Sequence, residues 1–355
     1  MTNKKYFFIG IGGIGMSSIA QYLYEKGNTI LGYDASENRS VKILVKKGVE
    51  VINKLSLERI PDYMKEEDVI VVYTPAIPDD NIFLKYFRSN GNNPIFKRSE
   101  ILGEISKQSK CIAVAGTHGK TTTTAIISHL FHSSGIHFKA FIGGIMKCFD
   151  SNYINTGNDY IIVEADEYDR SFLNLNANYA VITSIENDHL DIYGDFKSLT
   201  ESFQSFANNV KDVLITDAEI NLNKDFSFSI KNDSDYCLDN IDILENEIRF
   251  DLKTPNNFYS NISANILGLH NLKNVLAALS IIDQIKEIDI ENLLPFLSNF
   301  KGIERRMDIY KLDNKVVIDD YAHHPTEIES VLNTIQTNYK NKSKAVVFQP
   351  HLFSR

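Results

Sequence analysis

Cysteine is scarce in this 355-residue chain: Cys111, Cys148 and Cys237 stand far apart, form no CxxC pair and, being three, cannot all pair with one another. Neither a disulfide framework nor a cysteine-based zinc site is therefore expected. No apolar run reaches the ~18–20 residues of a membrane-spanning helix. Lys4 and Lys5 ahead of an apolar stretch imitate a secretory signal, but the glycines at 10, 12, 13 and 15 and the amphipathic run Gln21 to Lys26 do not fit one, so a cytoplasmic protein is expected. Long Lys/Arg runs are missing too. With 37 basic against 46 acidic residues, a net charge of −9, the chain lacks the basic footprint of a nucleic-acid or anionic-membrane binder. A small anionic ligand, which needs only local positive charge, stays open. There is no sequence repeat or low-complexity tract, and 43% apolar residues over this length support two or three domains with sizeable cores.

The first hundred residues alternate short apolar strands (Tyr6 to Ile9, Thr29 to Tyr33, Val49 to Ile52, Val69 to Tyr73, Pro94 to Phe96) with helical patterns, which predicts βαβ units and a mostly parallel sheet. Cys111 to Ala115 opens a second unit, with further strands at Tyr160 to Val163, Tyr179 to Thr183 and Val213 to Thr216, then short strands and loops over 218–262. Helices are predicted at Asn271 to Ile285 and Asp289 to Ser298. Beyond Lys301-Gly302 come strands at Met307 to Leu312, Lys315 to Ile318 and Ala345 to Phe348, with a helix from Pro325. The expected class is α/β in three parts: a Rossmann-like domain at 1–106, a P-loop ATPase-like domain at 107–300, and the start of a Rossmann-like C-terminal domain at 301–355. That last stretch has room for only three strands and one helix, so it is expected to be incomplete. On that reading the chain binds its first ligand but turns over poorly until about 80–120 residues are added.

Gly10-Ile11-Gly12-Gly13-Ile14-Gly15 follows a strand and opens a helix, the GxGxxG geometry that lets a diphosphate approach backbone N–H groups at a helix N-terminus. Asp34 ends the next strand, where an acid can accept a ribose hydroxyl. A dinucleotide or another nucleotide diphosphate, such as a UDP-sugar, suits this loop equally. Gly116-Thr117-His118-Gly119-Lys120-Thr121-Thr122 is more specific: a P-loop whose backbone cradles phosphates, with Lys120 reaching the β/γ-phosphates and the Thr121 hydroxyl able to ligate Mg²⁺, although Val114 occupies the usual first glycine position. The strand at 160–163 delivers Glu164, Asp166, Glu167 and Asp169 to the same sheet end, and Asn187-Asp188-His189 follows the next strand. At Gly268 to Asn274, Asn271 is the expected N-cap with Asn274 one turn on. Arg305-Arg306, Asp319 to Pro325 and Gln349 to Arg355 gather His and Arg at strand ends of the last segment.

Gly12 to Ser17, Gly116 to Thr122, Glu164 to Glu167, Asp188 to Asp191, His270-Asn271, Asp320 to Pro325 and Gln349 to His351 occur in the order seen in the Mur ligases, and over 6–355 the chain resembles the L-alanine-adding branch of that family most. The resemblance implies an ADP-forming ligase of peptidoglycan synthesis in which ATP phosphorylates the lactyl carboxylate of UDP-N-acetylmuramate and L-alanine attacks the acyl phosphate. It implies Lys120, Glu164, His189, His323 and Arg355 as catalytic, with Thr121, Glu164 and His189 on Mg²⁺. It places Gly116, Thr117, His118, Gly119, Lys120, Thr121, Thr122, His270, Asn271, Asn274, Arg305, Arg306 and Tyr321 on ATP. Gly10, Gly12, Gly13, Gly15, Asp34 and Thr74 would hold the UDP-sugar, and His323, His351 and Arg355 would border the amino acid. No oligomeric state follows. The alternatives are a murein-tripeptide recycling ligase of the same family, which differs at Gly12 to Ser17, an NAD-dependent dehydrogenase resting on the first glycine loop, and a non-catalytic nucleotide sensor.

Overall fold

The computed structural model describes residues 3–187, 190–231, 233–245, 247–313 and 315–350. Near the N-terminus, β1 (Lys5–Ile9), α1 (Ile14–Glu25), β2 (Thr29–Tyr33), α2 (Arg39–Lys46), β3 (Glu50–Ile52), β4 (Ile70–Tyr73), α3 (Ile82–Asn90), β5 (Ile95–Lys97) and α4 (Arg98–Ser106) form a five-stranded parallel sheet of order β3-β2-β1-β4-β5. A parallel sheet covered on both faces needs strands apolar on both sides, and β1 meets this. Phe7 and Ile9 pack with Phe83 and Phe87 of α3, while Tyr6 and Phe8 pack toward α1. The chain order reverses between β1 and β4, the switch point at which such sheets hold ligands.

The central unit runs β6 (Lys110–Ala115), α5 (Lys120–Ser133), β7 (Phe138–Met146), β8 (Ser151–Asn155), β9 (Tyr160–Glu164), β10 (Tyr179–Ile182), α6 (Leu190–Tyr193), α7 (Phe196–Asn208), β11 (Val213–Asp217), β12 (Phe226–Ser229), β13 (Tyr236–Ile243), β14 (Ile248–Lys253), β15 (Phe258–Ala264) and α8 (Leu269–Asp283). Its ten-stranded sheet is ordered β15-β14-β13-β12-β11-β10-β6-β9-β7-β8. Strands β7, β9, β6, β10, β11, β12 and β13 pair in parallel in that order, and β8, β14 and β15 add antiparallel edges. Helices α5 and α8 cover one face through Ile126, Leu130, Leu272 and Val275. On the other, α7 stacks Phe206 on Phe172 at 5.0 Å. The core beneath α1 continues into Phe141 and Tyr153, so the two units share one apolar seam.

Several expectations change. Strands β7 and β8 were not anticipated, because the buried Lys139 and the Gly143-Gly144 pair interrupt the apolar run. The stretch 289–298 is not a helix but two 3₁₀ turns, Ile290–Asn292 and Leu294–Asn299, since Pro295 has no N–H to continue a helical ladder. Asn271 is not the N-cap: Gly268, at φ 87°, turns the chain into α8 earlier, and the Asn271 amide donates to Leu267 O (2.9 Å) from within the first turn. In the last segment β16 (Asp308–Leu312) and β17 (Lys315–Asp319) form an antiparallel hairpin, followed by α9 (Pro325–Asn338). Residues 345–348 form no strand; among the described residues the hairpin pairs only with itself, and Val347 is 98% exposed.

Candidate active site

The first glycine loop is held by its own neighbours. Gly10 N and Ile11 N donate to Tyr33 O (2.8 and 3.0 Å), and Gly12 N donates to Asp34 Oδ2 (2.8 Å) while Asp34 Oδ1 accepts from Ser36 N (3.0 Å). Asp34 therefore orders the loop. Gly10 alone among these glycines has a left-handed φ, 84°. A Cβ at Gly12 would meet Asp34 and Val41 at 2.7 Å, whereas at Gly13 its nearest neighbour would be Gly10 O at 3.4 Å. Gly13 is thus the open face, and with Gly15 and Thr74 it lines a cleft of about 460 Å³.

The opposite wall of that cleft is the turn between β6 and α5. Gly116 (φ 129°) and Gly119 (φ 85°) must lack side chains, since a Cβ would run into Thr183 and Asn274 respectively. Thr117 N donates to Ser184 O (3.0 Å) and His118 N to Ser184 Oγ (2.9 Å), fixing the turn against the end of β10. Lys120 Nζ folds back on its own loop, donating to Gly116 O (2.6 Å) and to both carboxylate oxygens of Glu167 (2.9 and 2.8 Å). Burial by itself would lower the Lys120 pKa, but Glu167, Asp166 and Glu164 outweigh it and raise it. Burial pushes Glu167 up to about 7 against the pull of Lys120.

The carboxylates after β9 separate by partner. Asp166 accepts from Arg98 Nη2 (2.9 Å), Asp169 from Lys97 Nζ (2.7 Å) and Glu167 from Lys120. Glu164 instead faces Thr121, whose hydroxyl donates to Oε1 (3.0 Å), while Gly143 N donates to Oε2 (2.7 Å). A Cβ at Gly143 would occupy the place of this carboxylate, which accounts for the glycine inside β7. Thr121 and Glu164 thus offer two hard oxygen donors at the phosphate end of α5, a donor set that suits Mg²⁺.

Arg98 is a residue that the sequence reading missed. It starts α4, lies beside Gly15, lines the cleft and bridges to Asp166. Its position right after β5, at the same sheet end as the glycine loop, is the signal that could have found it.

The third wall comes from the last segment. The guanidinium groups of Arg305 and Arg306 lie 5.0 and 5.6 Å from the centre of the Tyr321 ring, and Arg306 reaches Glu327 (3.7 Å). Met307 N and Ala322 N donate to the two oxygens of Asp320 (2.7 and 2.8 Å), stitching the entry of the hairpin to its exit. Tyr321, His323 and Arg306 line the same cleft as Gly13, Lys120 and Glu164. A neighbouring cavity takes in Thr122, His270, Asn271 and Asn274 together with Arg306. Burial and the nearby Arg306 lower His270 to about 4, which keeps its ring neutral. His189, His351 and Arg355 lie outside the described residues. Among the described residues no helix is long and apolar enough to cross a membrane.

Three family descriptions match in series: "Mur ligase family, catalytic domain" at 5–110, "Mur ligase middle domain" at 114–282 and "Mur ligase, glutamate ligase domain" at 305–352. The UDP-N-acetylmuramate--L-alanine ligase of Christiangramia forsetii is 44% identical over 99% of this chain and 78% of its own length. The enzyme of the same name from Flavobacterium psychrophilum is 41% identical over 98% and 78%. The crystal structure of a UDP-N-acetylmuramate-alanine ligase from Thermotoga maritima superposes with a TM-score of 0.86 at 32% identity, covering 95% of this chain and 78% of that one. With a glycine loop, a P-loop and a basic third wall around one cleft, and with these matches along nearly its whole length, the chain belongs to the Mur ligase family.

Proposed function

We propose that this chain is an ATP-dependent, ADP-forming ligase that joins L-alanine to the lactyl carboxylate of UDP-N-acetylmuramate. The observation that carries the proposal is a single cleft with three walls: Gly13, Gly15 and Thr74 on one side, Lys120, Thr121 and Glu164 on the second, Arg306, Tyr321 and His323 on the third. A carboxyl group and a terminal phosphoryl group held there would meet. The names of the relatives supply the substrate pair.

In this reading Gly13 and Gly15 let the diphosphate of the UDP-sugar approach the N-terminus of α1, while Gly10, Gly12 and Asp34 keep the loop in shape. Lys120 exchanges Glu167 and its own backbone for the β/γ-phosphates of ATP and neutralises charge on the phosphoryl group in transfer. Thr121 and Glu164 hold Mg²⁺, with His189 as the further expected ligand. When bound, the ion supplies the charge neutralisation that lets a carboxylate approach a triphosphate. The carboxylate oxygen attacks the γ-phosphorus and ADP leaves. The neutral amine of L-alanine then attacks the acyl carbon, phosphate departs, the amine loses a proton, and an amide remains. His270, Asn271 and Asn274 border the adenine, Arg305, Arg306 and Tyr321 reach ATP from the third wall, and His323, with His351 and Arg355, borders the amino acid. The 1–106, 107–300 and 301–355 division follows these three roles.

A hydride-transfer role would leave Lys120, Thr121 and Glu164 without a task. The test is phosphate release with ATP, Mg²⁺, UDP-N-acetylmuramate and L-alanine, each omitted in turn. Release that needs all four is expected; release indifferent to the UDP-sugar, or NADH binding in its place, would overturn the assignment.

A further inference from the structure

Away from Thr121 and Glu164, three other ligand-type side chains converge where the P-loop meets α9. His118 belongs to the P-loop, Glu186 to the loop after β10, and His324 caps the N-terminus of α9. One ligand atom from each lies within 4.8 Å of the other two, and among the described residues this is the one place where three such groups come together. The His118 and His324 rings are 5.0 Å apart between centres. Nε2 of His118 is buried with no hydrogen-bond partner, 3.6 Å from Glu186 Oε2. Its other nitrogen, Nδ1, faces Glu327 Oε1 at 3.2 Å. A carboxylate behind one ring nitrogen, with the second nitrogen aimed at a gathering of donors, is how proteins orient a metal-binding imidazole. Glu186 is steadied in turn by the hydroxyl of Thr326, which donates to it (2.9 Å). The cluster borders the cavity next to His270, so an ion has a way in.

We propose that His118, Glu186 and His324 form a binding site for a borderline divalent ion of the zinc class, which clasps α9 to the P-loop. Two imidazoles and one carboxylate suit Zn²⁺ or Co²⁺ and disfavour Mg²⁺, which takes oxygen donors. Three protein ligands leave a fourth position open to the cavity. The ligands come from three elements, two in the central unit and one in the last segment, so the ion would cross-link the segment that carries Tyr321 and His323 to the phosphate loop.

The test uses the 355-residue chain, stripped with a chelator and free of nucleotide, with Zn²⁺ followed by calorimetry and Co²⁺ followed by its visible absorption. One tight ion per chain and a Co²⁺ spectrum of low coordination number are expected. Glu186→Gln, which keeps the side chain's shape, and His324→Gln should each weaken binding by about tenfold or more, while Glu164→Gln leaves it unchanged. Circular dichroism confirms that each variant is folded, and the Glu186 variant carries the result if loss of the cap unfolds α9. Absence of a Co²⁺ band, or a band that persists unchanged in Glu186→Gln, would overturn the proposal.

Discussion

Two glycine-bearing turns, one after β1 and one after β6, follow the same strand–turn–helix path at the centre of a parallel sheet, yet they are built differently. The first carries no charged side chain in the opening turn of its helix, and the N–H groups of Gly10, Ile11 and Gly12 donate to Tyr33 O and to Asp34, which Ser36 holds in place. The second places Lys120 and Thr121 in the opening turn, each facing a carboxylate from the end of β9 or just beyond it. The first is a backbone cradle, sufficient for holding an anion. The second adds movable charge, which a group transfer needs. On the proposed function, one backbone device would serve for binding at the first turn and for chemistry at the second, and the difference lies in side chains brought from elsewhere in the sheet.

The strongest blow to this contrast is Lys120→Ala. Phosphate release should fall by about 10²–10³-fold, roughly 3–4 kcal/mol of transition-state stabilisation, with UDP-sugar binding kept. The variant also takes the Lys120 ammonium away from the buried Glu167, whose side chain is 1% exposed, at a stability cost of up to about 3–5 kcal/mol. Adding Glu167→Gln should recover much of that stability in thermal melts and none of the turnover. Recovered turnover would mean that Lys120 serves the fold and not the phosphoryl group.

A smaller change is expected from Glu164→Gln, which keeps the volume beside Gly143 and removes the charge. The Mg²⁺ concentration for half-maximal phosphate release should rise by about 10-fold or more, and an unchanged requirement would remove Glu164 from the metal site. Gly12→Val sharpens the comparison from the other side. Its new methyls collide with Asp34, Val41 and Asn38, so the melting transition should drop by about 1–3 kcal/mol of stability. No drop would mean that the loop is not self-supporting. The mildest change is Asn152→Ala. Asn152 in β8, fully buried, donates to Ile14 O (2.5 Å) and Ser17 Oγ (3.0 Å) and accepts from Gln21 Nε2 (2.8 Å). Losing it removes three hydrogen bonds between β8 and α1, at about 1–3 kcal/mol, and should loosen the first loop relative to the P-loop. UDP-sugar affinity should fall and ATP affinity hold.

Both turns were legible in the sequence because glycine spacing, strand and helix are local signals. Their partners were not. Arg98 reaches Asp166 across 68 positions, Lys97 reaches Asp169 across 72, and Asn152 reaches Ile14 across 138. A run of four acids therefore read as interchangeable ligands, although three of them are tied to Lys97, Arg98 and Lys120 and Glu164 alone faces Thr121. Strand β7 escaped notice for a related reason: Gly143 looks like a break in the chain pattern and is in fact the space that Glu164 fills. The strand expected at 345–348 had the right composition, but a strand also needs a neighbour to pair with, and hydropathy alone does not supply one.

The division of labour between the two turns is tested most directly by calorimetry on two variants with two ligands. UDP-N-acetylmuramate and MgATP are each titrated into Gly13→Val and Lys120→Ala. Gly13→Val puts a side chain on the open face of the first loop and should lose the UDP-sugar while keeping ATP. Lys120→Ala should keep the UDP-sugar and bind ATP more weakly. If Gly13→Val loses ATP and retains the UDP-sugar, or if neither variant discriminates between the ligands, the two turns do not have the separate roles assigned to them.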